Sequence, residues 1–261
     1  MRVVSLAPSC TEVVFALGRG DQLVGRTAFC DYPAEVLKVP AIGGWTTADL
    51  SRVFDLKPDL VLTSSFLQES VVAALQKQGT TVCHTDPRSL PDVLASYETI
   101  ADALGVIDRG RTLRKTMEND LSALDASLPK RRFRVYAEEW PSPPMASGNW
   151  VPDLLRLAGA DSFLPSGEIS RIVTLEEIQA FDPDIVLLNY CGMARVPAEK
   201  QIGLLQTRSG WENLRAVREG RITVLDDSLL NRPGPRLVDG ARQIIAALSS
   251  VALPVALQSS S

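Results

Sequence analysis

Two stretches of the chain, 125 residues apart, repeat one pattern. Residues 49–62 read DLSRVFDLKPDLVL and residues 174–187 read TLEEIQAFDPDIVL. Leu50 matches Leu175, Pro58 matches Pro183, Asp59 matches Asp184, and Val61-Leu62 match Val186-Leu187. Each copy reads as a short amphipathic helix, a Pro-Asp turn and an apolar run suited to a buried strand. Proline restricts the residue before it, so the helix must stop there and a strand can begin. In 261 residues, a helix–turn–strand unit that occurs twice predicts two similar α/β halves.

Between the copies lies a second organising feature. Val106, Leu113, Met117, Leu121, Leu124 and Leu128 recur at the period of one helical face. Gly105 ends the apolar pattern before it, Asp108 reads as an N-cap, and Pro129 closes it. A helix over 108–128 would be roughly 30 Å long, about the width of a small domain. The predicted organisation is an N-terminal α/β lobe (1–107), a linking helix (108–128) and a C-terminal α/β lobe (129–261). Strands alternating with helices predict parallel central sheets flanked by helices, with a ligand cleft between the lobes.

Composition excludes several classes of function. The net charge is −4, and the densest basic stretches, RKTMEN and PKRRFR, read as solvated faces, so nucleic acid is not an expected partner. No window approaches the ~20 apolar residues of a membrane span. After Met1-Arg2 the chain runs directly into Val3-Val4-Ser5-Leu6, which reads as a strand and not as a leader. Either a leader has been removed and a Met supplied, or the protein stays in the cytoplasm. Cys10, Cys30, Cys83 and Cys191 lack CxxC spacing, so they read as free thiols and not as a sequence-defined zinc site.

In parallel sheets, ligands bind outside the carboxyl ends of the strands. The segments expected there are Pro8-Ser9-Cys10, Phe29-Cys30-Asp31-Tyr32, Trp45, Ser64-Ser65-Phe66, the loop 138–150, Asn189-Tyr190-Cys191 and Asn231-Arg232-Pro233. Three of the four tryptophans fall in them, and large rings among a few polar groups suit a bulky, flat, partly apolar ligand. Catalytic signatures are thin. His84 is the only histidine and falls in a predicted strand, and no GxSxG, P-loop, GxGxxG or HExxH occurs. The adjacent acids Glu138-Glu139 and Asp226-Asp227 read as solvated turns. A binding protein, with no catalytic or metal-ligating set, is the expected class.

The order of motifs resembles a known family. VVSLAPSCTEVVFALG (3–18), CDYP (30–33) and a Trp ahead of the first PDLVL are similar to the N-terminal lobe of cobalamin-binding proteins. EEWPSPPMASGNWVPDLLRLAGA (138–160), DPDIVLLNYCGM (182–193) and NRPGPRLVDG (231–240) continue the likeness, over residues 2–248 in all. These are substrate-binding proteins of ABC importers, with two lobes joined by one helix, and the chain most resembles a leaderless cobalamin-binding subgroup. The resemblance implies a corrinoid held among aromatic side chains, here Phe29, Tyr32, Trp45, Trp140, Met145 and Trp150, with Asn231 and Arg232 from the last loop. Cys10, Cys30, Phe66, Tyr190 and Cys191 join the predicted ligand set through their loops. It further implies a monomer in the periplasm or cell envelope, with no cofactor of its own and an ABC permease as partner. Family members that dock on a permease carry a Glu in each lobe. Glu176 stands at the second position, and Ser51 at the first. Two alternatives remain at this point: another metal chelate such as haem or a siderophore, or a cytoplasmic protein handling metal or tetrapyrrole through Cys10, Cys30 and Cys191. Thiolates would select zinc, copper(I) or an iron–sulfur cluster.

Overall fold

A computed structural model describes residues 1–124 and 131–252. These form two compact units, each with its own sheet. The first holds Met1–Pro87, Pro91–Glu118 and Pro233–Pro235, and the second holds Arg88–Leu90, Asn119–Arg232 and the chain from Arg236 onward.

The first sheet contains β1 (Val3–Ser5), β2 (Leu23–Arg26), β3 (Leu60–Ser64) and β4 (Val82–Thr85) in the order β2-β1-β3-β4. All its pairings are parallel. Helices α1 (Pro8–Ala16), α2 (Leu50–Asp55), α3 (Glu69–Lys77), α4 (Leu90–Ala103) and α5 (Ile107–Ser122) accompany it. Val4, Leu6, Val61, Val53 and Leu75 pack together in its core.

The second sheet is built on β5 (Phe133–Pro141), β6 (Pro144–Ala146), β7 (Ala160–Ser162), β8 (Arg171–Ile172), β9 (Ile185–Leu188) and β10 (Ile222–Val224). Its order is β10-β9-β5-β6-β8, with β7 on the first part of β5. The pairings of β5 with β7 and β9, and of β9 with β10, are parallel, as expected. β6 and β8 are antiparallel additions that the alternating strand–helix pattern did not predict. The remaining helices are α6 (Val151–Leu157), α7 (Leu175–Phe181), α8 (Ala198–Gln206), α9 (Arg215–Arg218), α10 (Asp227–Leu230) and α11 (Leu237–Ala252). Tyr136, Val186, Leu188, Tyr190, Leu205 and Trp211 form the core beside this sheet.

The repeat is structural down to its backbone. Asp49 and Thr174 occupy the same N-cap position and accept hydrogen bonds from the first-turn amides of α2 and α7. Lys57 and Asp182, each just before the proline, take left-handed φ values of 46° and 45°. That conformation ends the helix, and the proline then starts the strand. Asp59 accepts the amide of Arg2 at 2.6 Å, and Asp184 accepts that of Arg134 at 2.9 Å. In both units the Pro-Asp carboxylate thus ties down the neighbouring strand.

Several expectations are corrected. α1 opens at Pro8, with Ala7 as a cap that lends no side chain, because proline suits a first helical turn where its missing N–H costs nothing. α5 opens at Ile107, so Asp108 lies in its first turn, where it accepts from Arg111 instead of capping. Met117, Leu121 and Leu124 are buried along the predicted stripe. Leu128 and Pro129, the predicted end of that helix, lie outside the described residues. The predicted loop 138–150 is mostly the β5–β6 hairpin, and the segment Asn231-Arg232-Pro233 directly follows the short helix α10. Prolines masked the hairpin: Pro141 and Pro144 sit at its tip, beyond the central ladder, where strands tolerate them. Among the described residues no helix is long and apolar enough to cross a membrane.

Candidate functional site

Segments at or after the carboxyl ends of the parallel strands carry most of the predicted ligand residues of each unit. In the first unit β1 runs through Leu6 and Ala7 into α1, whose Cys10 is buried with its thiol 3.7 Å from the Thr63 carbonyl. Burial, then the neighbouring Cys83 and Cys30, push the Cys10 thiol well above its ordinary value. Cys30, after β2, is also buried, 3.1 Å from the Thr27 hydroxyl. Its flanking rings behave in the opposite way: Phe29 is 54% exposed and Tyr32 47%. Phe66, after β3, is 37% exposed. It follows Ser65, whose φ of 86° lies in the region that side-chain-bearing residues avoid. The Ser65 amide donates to Thr85 and that of Phe66 to Asp86, and these bonds hold the strained turn.

Trp45 is partly buried. Its carbonyl accepts from Gln68 Nε2 at 2.6 Å, and its indole N–H is buried without an acceptor. Gln68 was not singled out from the sequence, because a glutamine before an amphipathic helix carries no pattern of its own.

In the second unit the edge is formed by the ends of β5, β9 and β10. Glu138 is wholly buried and is not the solvated turn expected. It accepts from the Tyr136 and Tyr190 hydroxyls, each at 2.6 Å, and pairs with Arg208. Tyr190 is therefore a core residue bonded beneath the edge. Glu139, next along, is pushed up to about 7 by burial, which Ser170 partly offsets. Trp140 is 44% exposed, donates through Nε1 to the Ser142 carbonyl, and stands opposite Met145 in the hairpin. Cross-strand neighbours share a face, so these two predicted contacts lie side by side.

Trp150 is buried, with Nε1 donating to the Leu230 carbonyl at 2.7 Å. Asn231 Nδ2 donates to the Asn189 carbonyl at 2.7 Å and approaches Cys191 Sγ at 3.1 Å, which brings these three positions together. Cys191 is exposed as a residue, yet desolvation around its sulfur, then Glu139 and Asp227, push the thiol up to about 12. Asp227 is buried, accepting the Gly192 amide on Oδ2 and leaving Oδ1 without a partner. Asp226-Asp227 is thus no solvated turn either: Asp226 caps α10, and burial raises the carboxyl of Asp227, with Arg232 among the charges opposing the shift. Arg232 itself is partly buried.

Ser51 and Glu176 are both exposed in the first turn of their helices, α2 and α7. Ser51 is turned onto Asp49, its hydroxyl donating at 2.6 Å. Cys10 and Cys30 belong to one unit and Cys191 to the other, and no three His, Cys, Asp or Glu side chains converge for a metal among the described residues. The raised thiols of Cys10 and Cys191 also oppose ligation, which needs thiolate. Two open hollows lie away from these edges. One of about 560 Å³ is lined by Leu17, Arg109, Leu113 and Thr116, and one of about 360 Å³ by Arg132, Arg156, Asp161 and Ser166. Neither includes a predicted ligand residue.

Comparison with known proteins agrees with this architecture. Residues 3–229 match the family described as periplasmic binding protein. An ABC transporter substrate-binding lipoprotein of Bacillus subtilis is 30% identical over 93% of this chain and 78% of its own. A vitamin B12-binding protein of Vibrio cholerae is 26% identical over 93% of this chain and 87% of its own. Among solved structures, the periplasmic heme-binding protein BhuT in complex with two hemes superposes with a TM-score of 0.81 at 26% identity, covering 97% of this chain and 99% of that one. The match over most of its length, with two α/β units whose central strand pairings are parallel, shows that the chain belongs to the periplasmic binding protein family, the non-catalytic substrate-binding components of ABC importers.

Proposed function

We propose that the chain binds a corrinoid, cobalamin or a relative, through the aromatic side chains at the carboxyl edges of its sheets. The observation that carries this reading is the exposure of Phe29, Tyr32, Phe66 and Trp140, four large rings on edge segments of otherwise well-packed units. Each ring covered by a ligand contributes on the order of 1–3 kcal/mol at about 25 cal/mol per Å². Vitamin B12-binding relatives support the corrinoid as that ligand. In the same reading Met145 and Trp45 complete the apolar surface, and Asn231, Arg232 and Cys191 meet the polar periphery. Glu176 meets a permease, and the monomer acts in the periplasm or cell envelope. Residues 1–107 and 129–261 are taken as the two lobes and 108–128 as the linking helix.

Haem is the second reading, favoured by the heme-bound relative and by the same flat aromatic surface. Calorimetric titration with cobalamin, cobinamide and haem separates them. Saturable binding of cobalamin, lost when Trp140 and Phe66 become Ala, is the expected result. Saturation by haem alone would transfer the assignment to haem, and no binding of any of the three would end both readings.

A further inference from the structure

The side chain of Gln68 is wholly buried and fully committed. Its Oε1 accepts the amide of Ser64, at the end of β3, at 2.8 Å. Its Nε2 donates to the carbonyl of Leu6, just past β1, at 2.9 Å and to the carbonyl of Trp45 at 2.6 Å. One amide therefore ties the ends of two adjacent parallel strands to the loop that carries Trp45. All three partners are backbone groups, so the geometry does not depend on which side chains surround it.

Trp45 pays for that position. Its indole N–H is buried and finds no acceptor, although buried polar groups are almost always satisfied. A loop free to move would turn the indole toward an acceptor or toward water. Next to Gln68, Ser65 is held at a φ of 86° and presents Phe66. The same glutamine is thus joined to the strand end from which Phe66 departs and to the carbonyl of Trp45.

We propose that Gln68 is a positioning residue that fixes Trp45, and with it the first unit's aromatic edge, in a ligand-ready posture. This rests on the proposed ligand-binding role of that edge, but the posture itself is a property of the ligand-free protein. Gln68 touches no ligand and acts through the two strand ends and the Trp45 carbonyl. The chemistry requires both an acceptor and a two-proton donor on one planar group, which only an amide side chain supplies.

The test uses the full chain labelled with 5-fluorotryptophan and read by ¹⁹F NMR, with Trp45→Phe assigning the Trp45 resonance. In Gln68→Met, of similar length but without donors or acceptor, the Trp45 resonance is expected to shift and broaden while those of Trp140, Trp150 and Trp211 stay. In Gln68→Glu, an ionised carboxylate cannot donate to either carbonyl, but its acid form can donate to one. Its Trp45 resonance is therefore expected to move back toward the wild-type position as pH falls, whereas that of Gln68→Met does not. If wild type binds cobalamin, Gln68→Met should bind roughly tenfold more weakly. An unmoved Trp45 resonance in a folded Gln68→Met protein overturns the proposal, as does a Gln68→Glu resonance insensitive to pH. Failure of wild type to bind any tetrapyrrole leaves the resonance test standing and removes the ligand reading instead.

Discussion

The guanidinium of Arg208 closes on both carboxylate oxygens of Glu138, at 2.7 and 2.9 Å, and no part of Glu138 reaches solvent. The same guanidinium donates to the Pro141 carbonyl at 2.6 Å and lies over the Trp211 ring at 4.6 Å. It therefore holds the tip of the β5–β6 hairpin, where Trp140 is exposed, to the core beneath. Arg208→Met leaves a buried carboxylate without its counter-charge and is expected to cost about 3–5 kcal/mol. Converting Glu138 to Met as well should restore only part of this, because the Tyr136 and Tyr190 hydroxyls then lose their acceptor. Urea melts of the two variants check it; a loss under 1 kcal/mol for Arg208→Met would contradict the arrangement.

Trp140 and Trp150 look alike in the sequence and should separate by experiment. Trp150 is buried and hydrogen-bonded to Leu230, so Trp150→Ala is expected to cost about 3–5 kcal/mol of stability. Trp140 stands 44% exposed, so Trp140→Ala should leave the melting temperature nearly unchanged and weaken ligand binding about tenfold. Thermal melts and titrations on the same two proteins decide it. A stable Trp150→Ala protein with impaired binding would return Trp150 to the ligand surface.

How far these assignments could be read from sequence depended on what made each pattern. The repeat was legible because backbone restrictions are local: Lys57 and Asp182 must leave the helix before proline wherever they sit, and the apolar run after Asp59 or Asp184 must be buried. The segments that carry Phe29, Phe66 and Trp140 were legible because parallel topology fixes which loops follow strand ends. Glu138 was not, since its burial is set by Arg208, which lies 70 residues on and carries no periodic signal. Trp150 and Tyr190 were misplaced for the same reason. Loop position predicts the segment, but the partners at Leu230 and Glu138 decide which way the ring goes.

Glu139 gives stability a dependence on pH with a definite sign. Its carboxyl titrates near 7 in the folded chain, against 4.5 ordinarily, so the folded state binds the proton more tightly than the unfolded one. Its contribution is fully present below about pH 4.5 and is lost as pH rises through about 7. Glu139→Gln keeps a neutral group there at all pH values. Relative to wild type it is expected to gain stability between pH 5 and 8, by no more than about 3 kcal/mol. Denaturant titrations of both proteins at pH 5 and 8 measure the difference; equal differences at the two pH values would place Glu139 in water.

The thiols should divide by accessibility and by charge. Cys10 and Cys30 are already buried without ligand, so their alkylation should wait for unfolding and a bound ligand should not change it. Burial also sets Cys30 apart from the ligand-facing role expected of it. Cys191 is exposed as a residue, but desolvation of its sulfur, then Glu139 and Asp227, hold its thiol near 12. Only the thiolate reacts, so at pH 8 native Cys191 should alkylate on the order of 10³ times more slowly than a free cysteine. Glu139→Gln removes one of those charges and should speed the reaction, whereas Asp92→Asn, on α4 in the first unit, should not. Timed labelling with iodoacetamide followed by peptide mass spectrometry resolves each cysteine separately. Labelling of Cys191 at the rate of a free cysteine would contradict the desolvated, acid-flanked setting of its sulfur.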